Sequence, residues 1–517
     1  MGFTLLILCS WFAAFPPASA SAIASTAPPL ANPEEFVAAQ RANGEFAIDL
    51  YRQLSKERPG KNLFFSPFSI STALLLATEG AVDETFRQMT TVLHLPSKEP
   101  RTGAGIPLAG IHRAQASLAS SFMPPDVPAS VRDEVERLRA KLDVANSTTR
   151  KLEKSGAYNE AFKSRATAQQ LADDLNRLLA DVDLYELRIA NALWAEKTYP
   201  FRRSYFDALQ PIYGAVLHPV DFKNNFEPAR LEINHWAEQQ TNNRIKDVVP
   251  LGALDNDTRL VITNAVYFKG SWVEPFPDKE TRDTPFLAGG TVKLMHDPNC
   301  TTASYGAFNA DGTFFVTPYD IPIEMPPTDP SLYPDDRGFT LLSLPYKGRK
   351  LSMIWLLPRS ATGVPALEKL LIHDKLQAWF KQLEGRKVDL SVPRVKLETN
   401  YRLTDSLKAL GMVRAFVDPG RHPQGAQFDA MSESQDPDNR LYIGAALHKT
   451  FLEVNEKGTE AAAVTAIIMP TAMAAIPMER KTKPFVPIFK ANQPFLFLIR
   501  DNATGTILFL GRFVGPD

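Results

Sequence analysis

The chain has 517 residues, of which 44% are hydrophobic and 22% are charged. Lys plus Arg (57) and Asp plus Glu (58) leave a formal net charge of -1, so no global field draws the chain to nucleic acid or to an anionic membrane. The chain is long enough to bury a large core, and its 41 prolines predict many loops and extended segments.

The first part of the chain, residues 1–20, has the features of a secretory signal peptide. An apolar run over residues 3–15 is followed by two prolines and the small-residue cleavage motif ASA, which ends at Ala20. The run is too short to span a membrane, and no later apolar run reaches that length. We therefore predict a secreted, extracellular protein whose Ala/Ser/Pro-rich residues 21–33 are disordered.

The use of cysteine and asparagine is consistent with secretion. Cys9 would leave with the signal peptide, and the single remaining thiol, Cys300, rules out a disulfide framework. We expect Cys300 to be buried and inert, the alternative being pairing with another chain. The sequence also has four Asn-X-Ser/Thr sequons and so predicts a glycoprotein, with sites at Asn146, Asn256, Asn299 and Asn502.

The first elements of the predicted domain are three helices and one short strand. Apolar residues recur at helical spacing over 34–56. The segment NLFFSPFSISTALLLATEGA (62–81) predicts a short buried strand, then Pro67, then a buried helix, and ETFRQMTTVLHL (84–95) predicts another helix.

Residues 97–165 differ from their surroundings. They begin Pro/Gly-rich and continue with a charged helical pattern, so we interpret them as an insertion. A solvated helix face explains the basic tail of this segment, and weak binding of a sulfated polysaccharide is the alternative. The residues concerned are Arg150, Lys151, Lys154, Lys163 and Arg165, which are diluted by Glu153 and Glu160.

From residue 187 onward, strand-like and helical runs alternate. The runs that predict strands are TRLVITNAVYFKGSW (258–272), FTLLSLPY (339–346), LSMIWLLP (351–358), VDLSVPRV (388–395) and FLFLIR (495–500). LTDSLKALGM (403–412) predicts a helix, and two loops rich in Pro and Asp cover 321–338 and 416–439. The mixture indicates an α+β fold with large sheets.

The sequence has none of the motifs that mark common catalytic or metal sites. Its eight histidines are scattered without HExxH, and CxxC, GxSxG, a Walker loop and GxGxxG after a strand are all absent. We therefore predict that the protein is not an enzyme and has no catalytic residues, no cofactor and no metal.

Several of these segments resemble the serpin family of serine protease inhibitors. NLFFSPFSISTALLLATEGA is similar to the family's strand and helix B, and LHKTFLEVNEKGTEAAA to the strand that leads into the reactive-centre loop. NALWAEKTYPF, WAEQQTNNRIKDVV and DTRLVITNAVYFKGSWVEPF resemble segments of the central sheet, and FKANQPFLFLIRDNATGTILFLGRF resembles the C-terminal signature. The resemblance covers about 34–96 and 166–513 and puts the insertion between helices C and D.

The resemblance implies a single serpin domain over residues 34–517, with three β-sheets, eight to nine helices and an exposed reactive-centre loop at 455–488. In serpins a protease cleaves this loop, and the freed segment inserts into the central sheet with the acylated protease attached. The chain would then be a suicide-substrate inhibitor of a secreted serine protease. A non-inhibitory binding or carrier protein on the same scaffold is the alternative.

The segment NEKGTEAAAVTAIIMPTAMAAIPMERK (455–481) fits loop insertion. It has no charged residue between Glu460 and Glu479, alternate positions from Thr459 to Met469 are uncharged, and no proline interrupts 459–469. An Ala-rich helix capped by Thr459 is the alternative. The resemblance assigns the hinge to Gly458, Thr459, Glu460, Ala461, Ala462 and Ala463.

The family's spacing from the hinge glycine puts the reactive bond at Ala472-Met473. A small residue there suits an elastase-like pocket, which admits small side chains. The partner that we favour is a secreted serine protease of the elastase-like or chymotrypsin-like class. The loop is longer than the family's usual one, so other bonds stay open, including a trypsin-like site. The alternative residues are Met469, Met473, Met478, Arg480 and Lys481. We expect a monomer that binds neither nucleic acid nor a membrane.

The resemblance also names residues that support the opening of the sheet. It assigns a hydrogen-bonded cluster beneath the sheet, the shutter, to Asn62, Ser66, Ser69, Asn264 and His448. It assigns the entrance at the top of the sheet, the breach, to Trp272, Glu456 and Arg394.

Overall fold

The computed structural model describes residues 32–96, 108–122, 129–155, 157–180, 185–213, 217–434, 441–459 and 481–516. The predicted signal peptide and almost all of the segment 21–33 lie outside these residues. Within the described residues, no helix is both long enough and apolar enough to cross a membrane.

The described part of the chain contains eleven α-helices. They are α1 (Pro33–Glu57), α2 (Pro67–Gly80), α3 (Asp83–Val92), α4 (Ala109–Phe122), α5 (Ala129–Lys154), α6 (Tyr158–Ala180), α7 (Arg203–Tyr213), α8 (Phe222–Gln240), α9 (Val364–Leu370), α10 (His373–Lys381) and α11 (Thr404–Ala409).

Twenty strands are present in the described residues. They are β1 (Leu63–Phe65), β2 (Tyr185–Glu196), β3 (Leu217–Val220), β4 (Leu260–Ser271), β5 (Arg282–Pro285), β6 (Thr291–Cys300), β7 (Ser304–Phe308), β8 (Phe314–Phe315), β9 (Asp320–Pro322), β10 (Phe339–Pro345), β11 (Leu351–Pro358), β12 (Glu384–Gly385), β13 (Val388–Pro393), β14 (Val395–Arg402), β15 (Ile443–Asn455), β16 (Gly458–Thr459), β17 (Thr482–Pro484), β18 (Ile488–Lys490), β19 (Phe495–Asp501) and β20 (Ile507–Phe513).

The strands form three principal sheets and one small sheet. The central sheet has the order β14-β15-β16-β4-β2-β3, an eight-stranded sheet is built around β20-β19-β11-β10-β7, and a four-stranded sheet has the order β18-β13-β6-β5. A two-stranded sheet pairs β17 with β9. The predicted α+β class and three sheets are confirmed, and the fourth sheet is an addition that the sequence did not predict.

The predicted N-terminal elements are present at nearly the predicted positions. α1 starts one residue before the predicted helix, with Asn32 and Glu35 forming a capping box at its N-terminus. α2 begins at Pro67 behind the N-cap Ser66, and every residue of this helix except Ser71 is buried. The all-round burial explains why α2 is apolar on every face.

The central sheet is buried on both faces. Ile262 and Val266 on β4 belong to the main core, and the alternate residues Val261 and Ala265 pack in a second core together with residues of α8. This double burial explains the nearly continuous apolar run of β4.

One segment that was assigned to the central sheet is not a strand. WAEQQTNNRIKDVV begins in the last turn of α8, which ends at Gln240, and continues as turns. Asn242 and Asn243 have positive φ angles (52° and 59°), which the helix cannot continue through. The prediction that this segment is part of the sheet was wrong.

The predicted boundaries of the insertion also need correction. α4 lies within the predicted range 97–165, but its residues Ile111, Leu118 and Phe122 pack in the main core. α5 and α6 form a helical hairpin with a separate core, made of Val135, Leu138, Leu142, Ala168 and Leu175. The unit that stands apart is therefore the hairpin 129–180, which lies between α4 and β2. Its two helices account for the excess over the eight to nine expected.

Candidate functional site

The central sheet has a seam between two parallel strands, β4 and β15. Their register runs from Ile443 opposite Leu260 to Phe451 opposite Tyr267. Beyond Tyr267 the two strands are no longer paired with each other, and the short strand β16 lies between them.

β16 lies near the start of the predicted reactive-centre loop, and it pairs with both walls of the seam. Gly458 is opposite Asn455 on one side and Ser271 on the other. Thr459 is opposite Val454 and Gly270, and both pairings are antiparallel. A chain that continued in this direction would therefore form an antiparallel ladder with each of the two parallel strands.

Only glycine fits at the first position of β16. Gly458 has a φ of 143°, a conformation that L side chains rarely adopt. A Cβ atom at this position would lie 2.0 Å from the carbonyl oxygen of Gly270 and 2.6 Å from the Cα of Ser271. The hinge glycine thus allows the backbone to approach β4 closely.

The three residues assigned to the breach surround this entry point. Trp272 is fully buried, its ring stacks on Tyr346 at 4.6 Å, and its indole N–H donates to the carbonyl oxygen of Asn455 (3.0 Å). Arg394 Nε donates to both carboxylate oxygens of Glu456, at 2.8 and 3.0 Å. The turn that leads into β16 is therefore held from both sides.

The carboxylate of Glu456 is buried but remains ionised. Burial by itself raises its pKa, but hydrogen bonds from Arg394 and from the hydroxyl of Thr281 (2.6 Å) outweigh burial and lower the pKa. The Glu456 side chain is 4% exposed and that of Arg394 is 44% exposed, so this ion pair lies at the boundary between core and solvent.

Polar side chains join the two parallel strands further along the seam. Asn264 on β4 and His448 on β15 are register partners and are hydrogen bonded through Nδ1 of His448. The main-chain N–H of Ser66 donates to Nε2 of His448 (3.0 Å). Asn264 Nδ2 donates to the hydroxyl of Ser69 (2.5 Å) at the start of α2. The cluster therefore connects the seam to the helix beneath it.

His448 is held in its neutral form. Its Nε2 accepts the hydrogen bond from Ser66, so the ring proton is on Nδ1 and is donated to the Asn264 oxygen. Burial lowers the pKa of His448 to about 3, and the interaction with Asn264 opposes this only in part. A proton on Nε2 would break the bond to Ser66.

The structure removes one predicted member from this cluster and adds another. Asn62 lies elsewhere, because its amide nitrogen donates to the carbonyl oxygen of Gly515 (2.9 Å) and its amide oxygen accepts from Val514 (2.8 Å). Asn191 on β2 takes its place, accepting a hydrogen bond from the Ser69 hydroxyl (2.7 Å). An amide side chain within the apolar strand run NALWAE was the signal for Asn191.

Most of the predicted loop lies outside the described residues. Gly458 and Thr459 form β16, and Lys481 precedes β17. Nothing is described for the other hinge, reactive-bond and alternative residues, which are Glu460, Ala461, Ala462, Ala463, Met469, Ala472, Met473, Met478 and Arg480.

Cys300 is buried, and burial raises its pKa to about 11, so it is a protonated and unreactive thiol. Single ligand atoms of Cys300, Glu274 and Asp297 lie within 4.8 Å of one another. A protonated thiol is a poor metal ligand. The carboxylate of Glu274 already accepts a hydrogen bond from the Thr301 hydroxyl (3.1 Å). We assign no metal to this group.

The four sequons differ in accessibility. Asn256, Asn299 and Asn502 are exposed, and Asn146 on α5 is partly buried. The amide nitrogen of Asn502 donates to the carbonyl oxygen of Arg349 (2.7 Å) and to the hydroxyl of Ser352 (2.9 Å). A glycan at Asn502 would replace one of these bonds.

The basic tail that suggested polysaccharide binding lies on the hairpin. Lys151 on α5 and Lys163 and Arg165 on α6 are exposed, and Glu160 is exposed on the same hairpin. The side chains of Arg150 and Lys154 are outside the description. Binding of a sulfated polysaccharide stays a prediction.

Comparison with known proteins gives a consistent result. The family model described as serpin (serine protease inhibitor) matches residues 41–136 and 138–516. The chain is 32% identical to human Serpin B4 over 481 residues, covering 92% of this chain and 98% of the relative. It is 33% identical to the leukocyte elastase inhibitor of Equus caballus over 485 residues, with the same coverage of both chains.

Solved structures share the fold. Uncleaved ovalbumin matches with a TM-score of 0.64 at 23% identity, covering 93% of this chain and all of that chain. Serpin48 of the insect Tenebrio molitor matches with a TM-score of 0.62 at 23% identity, covering 94% and 99%. These likenesses extend over the described domain as a whole.

Proposed function

The chain belongs to the serpin family, and we propose that it is a suicide-substrate inhibitor of a secreted serine protease. The family is one of protease inhibitors rather than enzymes, in agreement with the lack of a catalytic motif. The observation that carries the proposal is the position of β16, whose two residues already pair with both strands of the parallel seam.

The proposed mechanism begins as ordinary proteolysis. The serine oxygen of the protease attacks the carbonyl carbon of the reactive bond, the amine of the next residue leaves with a proton, and an ester joins the inhibitor to the protease. The freed loop then extends β16 along the seam, carrying the protease with it. Hydrolysis of the ester is prevented if insertion is faster than the attack of water.

Loop insertion supplies enough free energy to distort a protease. About ten new ladder hydrogen bonds at ~1 kcal/mol each, plus several buried apolar side chains, give on the order of 10–20 kcal/mol. The uncharged alternate positions from Thr459 to Met469 allow one face of the new strand to be buried. The cost is the separation of Asn264 from His448, which the new strand would divide.

The proposed reactive bond is Ala472-Met473, and the proposed target is an elastase-like or chymotrypsin-like protease. The small side chain of Ala472 suits a shallow specificity pocket. The relative named leukocyte elastase inhibitor supports an elastase-like target. Secretion, glycosylation, a monomeric state and weak binding of a sulfated polysaccharide by the hairpin are parts of the same proposal.

The test is to incubate the purified protein separately with elastase, chymotrypsin and trypsin, and to analyse each mixture on a denaturing gel and by mass spectrometry. We expect a complex with elastase or chymotrypsin that survives denaturant, together with a C-terminal peptide that starts at Met473. Cleavage by every protease without any complex would contradict inhibition and favour the non-inhibitory binding protein.

A further inference from the structure

A small unit, which we call the clasp, holds the C-terminal end of the reactive-loop segment. It consists of residues 317–333, Arg386 and residues 481–485. Within it β17 pairs with β9 in antiparallel register, with Lys483 opposite Ile321. The carbonyl oxygen of Lys481 accepts a hydrogen bond from the N–H of Ile323 (3.3 Å), so the pairing extends to the residue that precedes β17.

Arg386 ties the two chain segments of the clasp together. Its guanidinium donates to the carbonyl oxygens of Thr317 (3.4 Å), Pro318 (2.8 Å) and Phe485 (3.3 Å). The same guanidinium lies 4.9 Å from the centre of the Tyr319 ring and 5.8 Å from that of Phe485. Cation–π contacts of this kind add to the hydrogen bonds, so one side chain holds both segments.

The clasp also has a core of its own. Ile321, Leu332, Tyr333 and Phe485 are buried against one another, and the rings of Tyr333 and Phe485 meet edge to face at 5.9 Å. The N–H of Phe485 donates to the carbonyl oxygen of Tyr319 (2.7 Å). Release of residues 481–485 would therefore expose an apolar cluster as well as break main-chain hydrogen bonds.

We propose that the clasp determines protease specificity by shielding the bond after Lys481 from trypsin-like proteases. This inference rests on the proposed function and deepens it. A protease must bind the residues around the cut in an extended conformation and take the carbonyl oxygen into its oxyanion hole. At Lys481 that oxygen is bonded to Ile323, and the residues after it are paired with β9.

The consequence is that only bonds upstream of the clasp are presented as substrate. The dibasic pair would attract a trypsin-like protease in an unfolded chain, but cleavage of paired backbone requires the local structure to open first. The clasp thus removes the bond after Lys481 as an alternative to the proposed bond Ala472-Met473.

The first experiment compares trypsin cleavage of the folded wild-type protein with cleavage of a synthetic peptide that spans 474–490. The initial rate at the bond after Lys481 is read by mass spectrometry. We expect this bond to be cut at least about tenfold more slowly in the folded protein than in the peptide. Equal rates in the two would overturn the proposal.

The second experiment opens the clasp with Arg386→Ala and, independently, with Phe485→Ala. Arg203→Ala on α7 removes the same charge from a side chain that is 88% exposed and is the matched control. We expect each clasp variant to be cut after Lys481 about tenfold faster than wild type and the control to be unchanged. Unchanged cutting in clasp variants that keep the wild-type circular dichroism would contradict the proposal.

Complex formation with elastase, measured on the same samples, separates the two proposals. If wild type forms no elastase complex yet resists trypsin after Lys481, the proposed function fails and the assignment of the clasp is supported. If the elastase complex forms while the bond after Lys481 is cut as fast as in the peptide, the assignment of the clasp fails and the proposed function is supported.

Discussion

At the scale of single residues, the environment of His448 differs strongly from that of a free histidine side chain. It is completely buried, neutral, and bonded to both Ser66 and Asn264. Because its folded pKa, about 3, lies below the unfolded value, a proton binds the unfolded chain more readily than the folded one. Because of His448, the free energy of unfolding therefore decreases as the pH falls below about 6.5. Above that pH, His448 makes the free energy of unfolding depend little on pH.

We predict that His448→Gln reduces this dependence on pH. Between about pH 7 and pH 5 the contribution of His448 to the free energy of unfolding falls by about 2 kcal/mol in wild type. The variant should be about 1–3 kcal/mol less stable at pH 7, because it disturbs the bonds to Ser66 and Asn264. Urea unfolding at both pH values, for wild type and variant, gives the double difference.

The control for this prediction is His235→Gln, at an exposed position on α8. The control should keep the full pH dependence of wild type. A His448 variant whose stability falls between pH 7 and pH 5 by as much as wild type would show that this side chain is not the group that resists protonation.

Residue identities in the cluster could be predicted only in part. Ser66, Ser69, Asn264 and His448 were named from the family resemblance, and the structure brings them together. Asn62 was named with them but binds the C-terminal residues, and Asn191 was missed. The reason is physical, since a sequence shows that an amide lies in an apolar run but not which other element of the fold supplies its partner.

At the scale of elements, inhibition requires the residues after β16 to enter the seam as a strand. We predict that Thr459→Arg abolishes inhibition and leaves the loop cleavable, because a charge would have to be buried in the sheet. The ratio of inhibitor cleaved to inhibitor in complex with elastase should rise at least about tenfold. Densitometry of denaturing gels at several molar ratios measures it.

Glu460→Arg is the matched control, since alternation places position 460 on the opposite face of the strand from 459. This variant introduces the same side chain one residue further on and should inhibit at the wild-type stoichiometry. Equal inhibition by Thr459→Arg and wild type would refute insertion along the seam.

Long elements with strong patterns were predicted well, whereas the short strands of the clasp and the bounds of the insertion were not. The apolar runs of α2, β4 and β11 were correctly predicted as buried elements, because a long and nearly continuous apolar run must be buried on all sides. The clasp was missed because β9 and β17 have only three residues each and pair across a long separation in sequence. The insertion was misplaced because charge and proline content mark surface exposure rather than the boundary of a separate core.

At the scale of the whole molecule, the central sheet contains a seam between β4 and β15, and β16 occupies it over only two residues. β4 and β15 pair in parallel from Leu260 to Tyr267 of β4, and β16 lies between the two strands after Tyr267. Parallel pairing is slightly less stable per residue than antiparallel pairing, so an antiparallel strand between the two replaces one weaker ladder with two stronger ones. We propose that cleavage of the loop drives the replacement of the parallel ladder by two antiparallel ladders.

The most direct test is a crystal structure of the protein after the loop has been cut by elastase, with the distance between β4 and β15 measured at Asn264 and His448. We predict that this distance increases from one strand spacing, about 4.8 Å, to two, about 9.6 Å, with residues after Thr459 forming the strand between them. A cleaved protein in which Asn264 and His448 remain direct partners, with the seam paired as before, would contradict it.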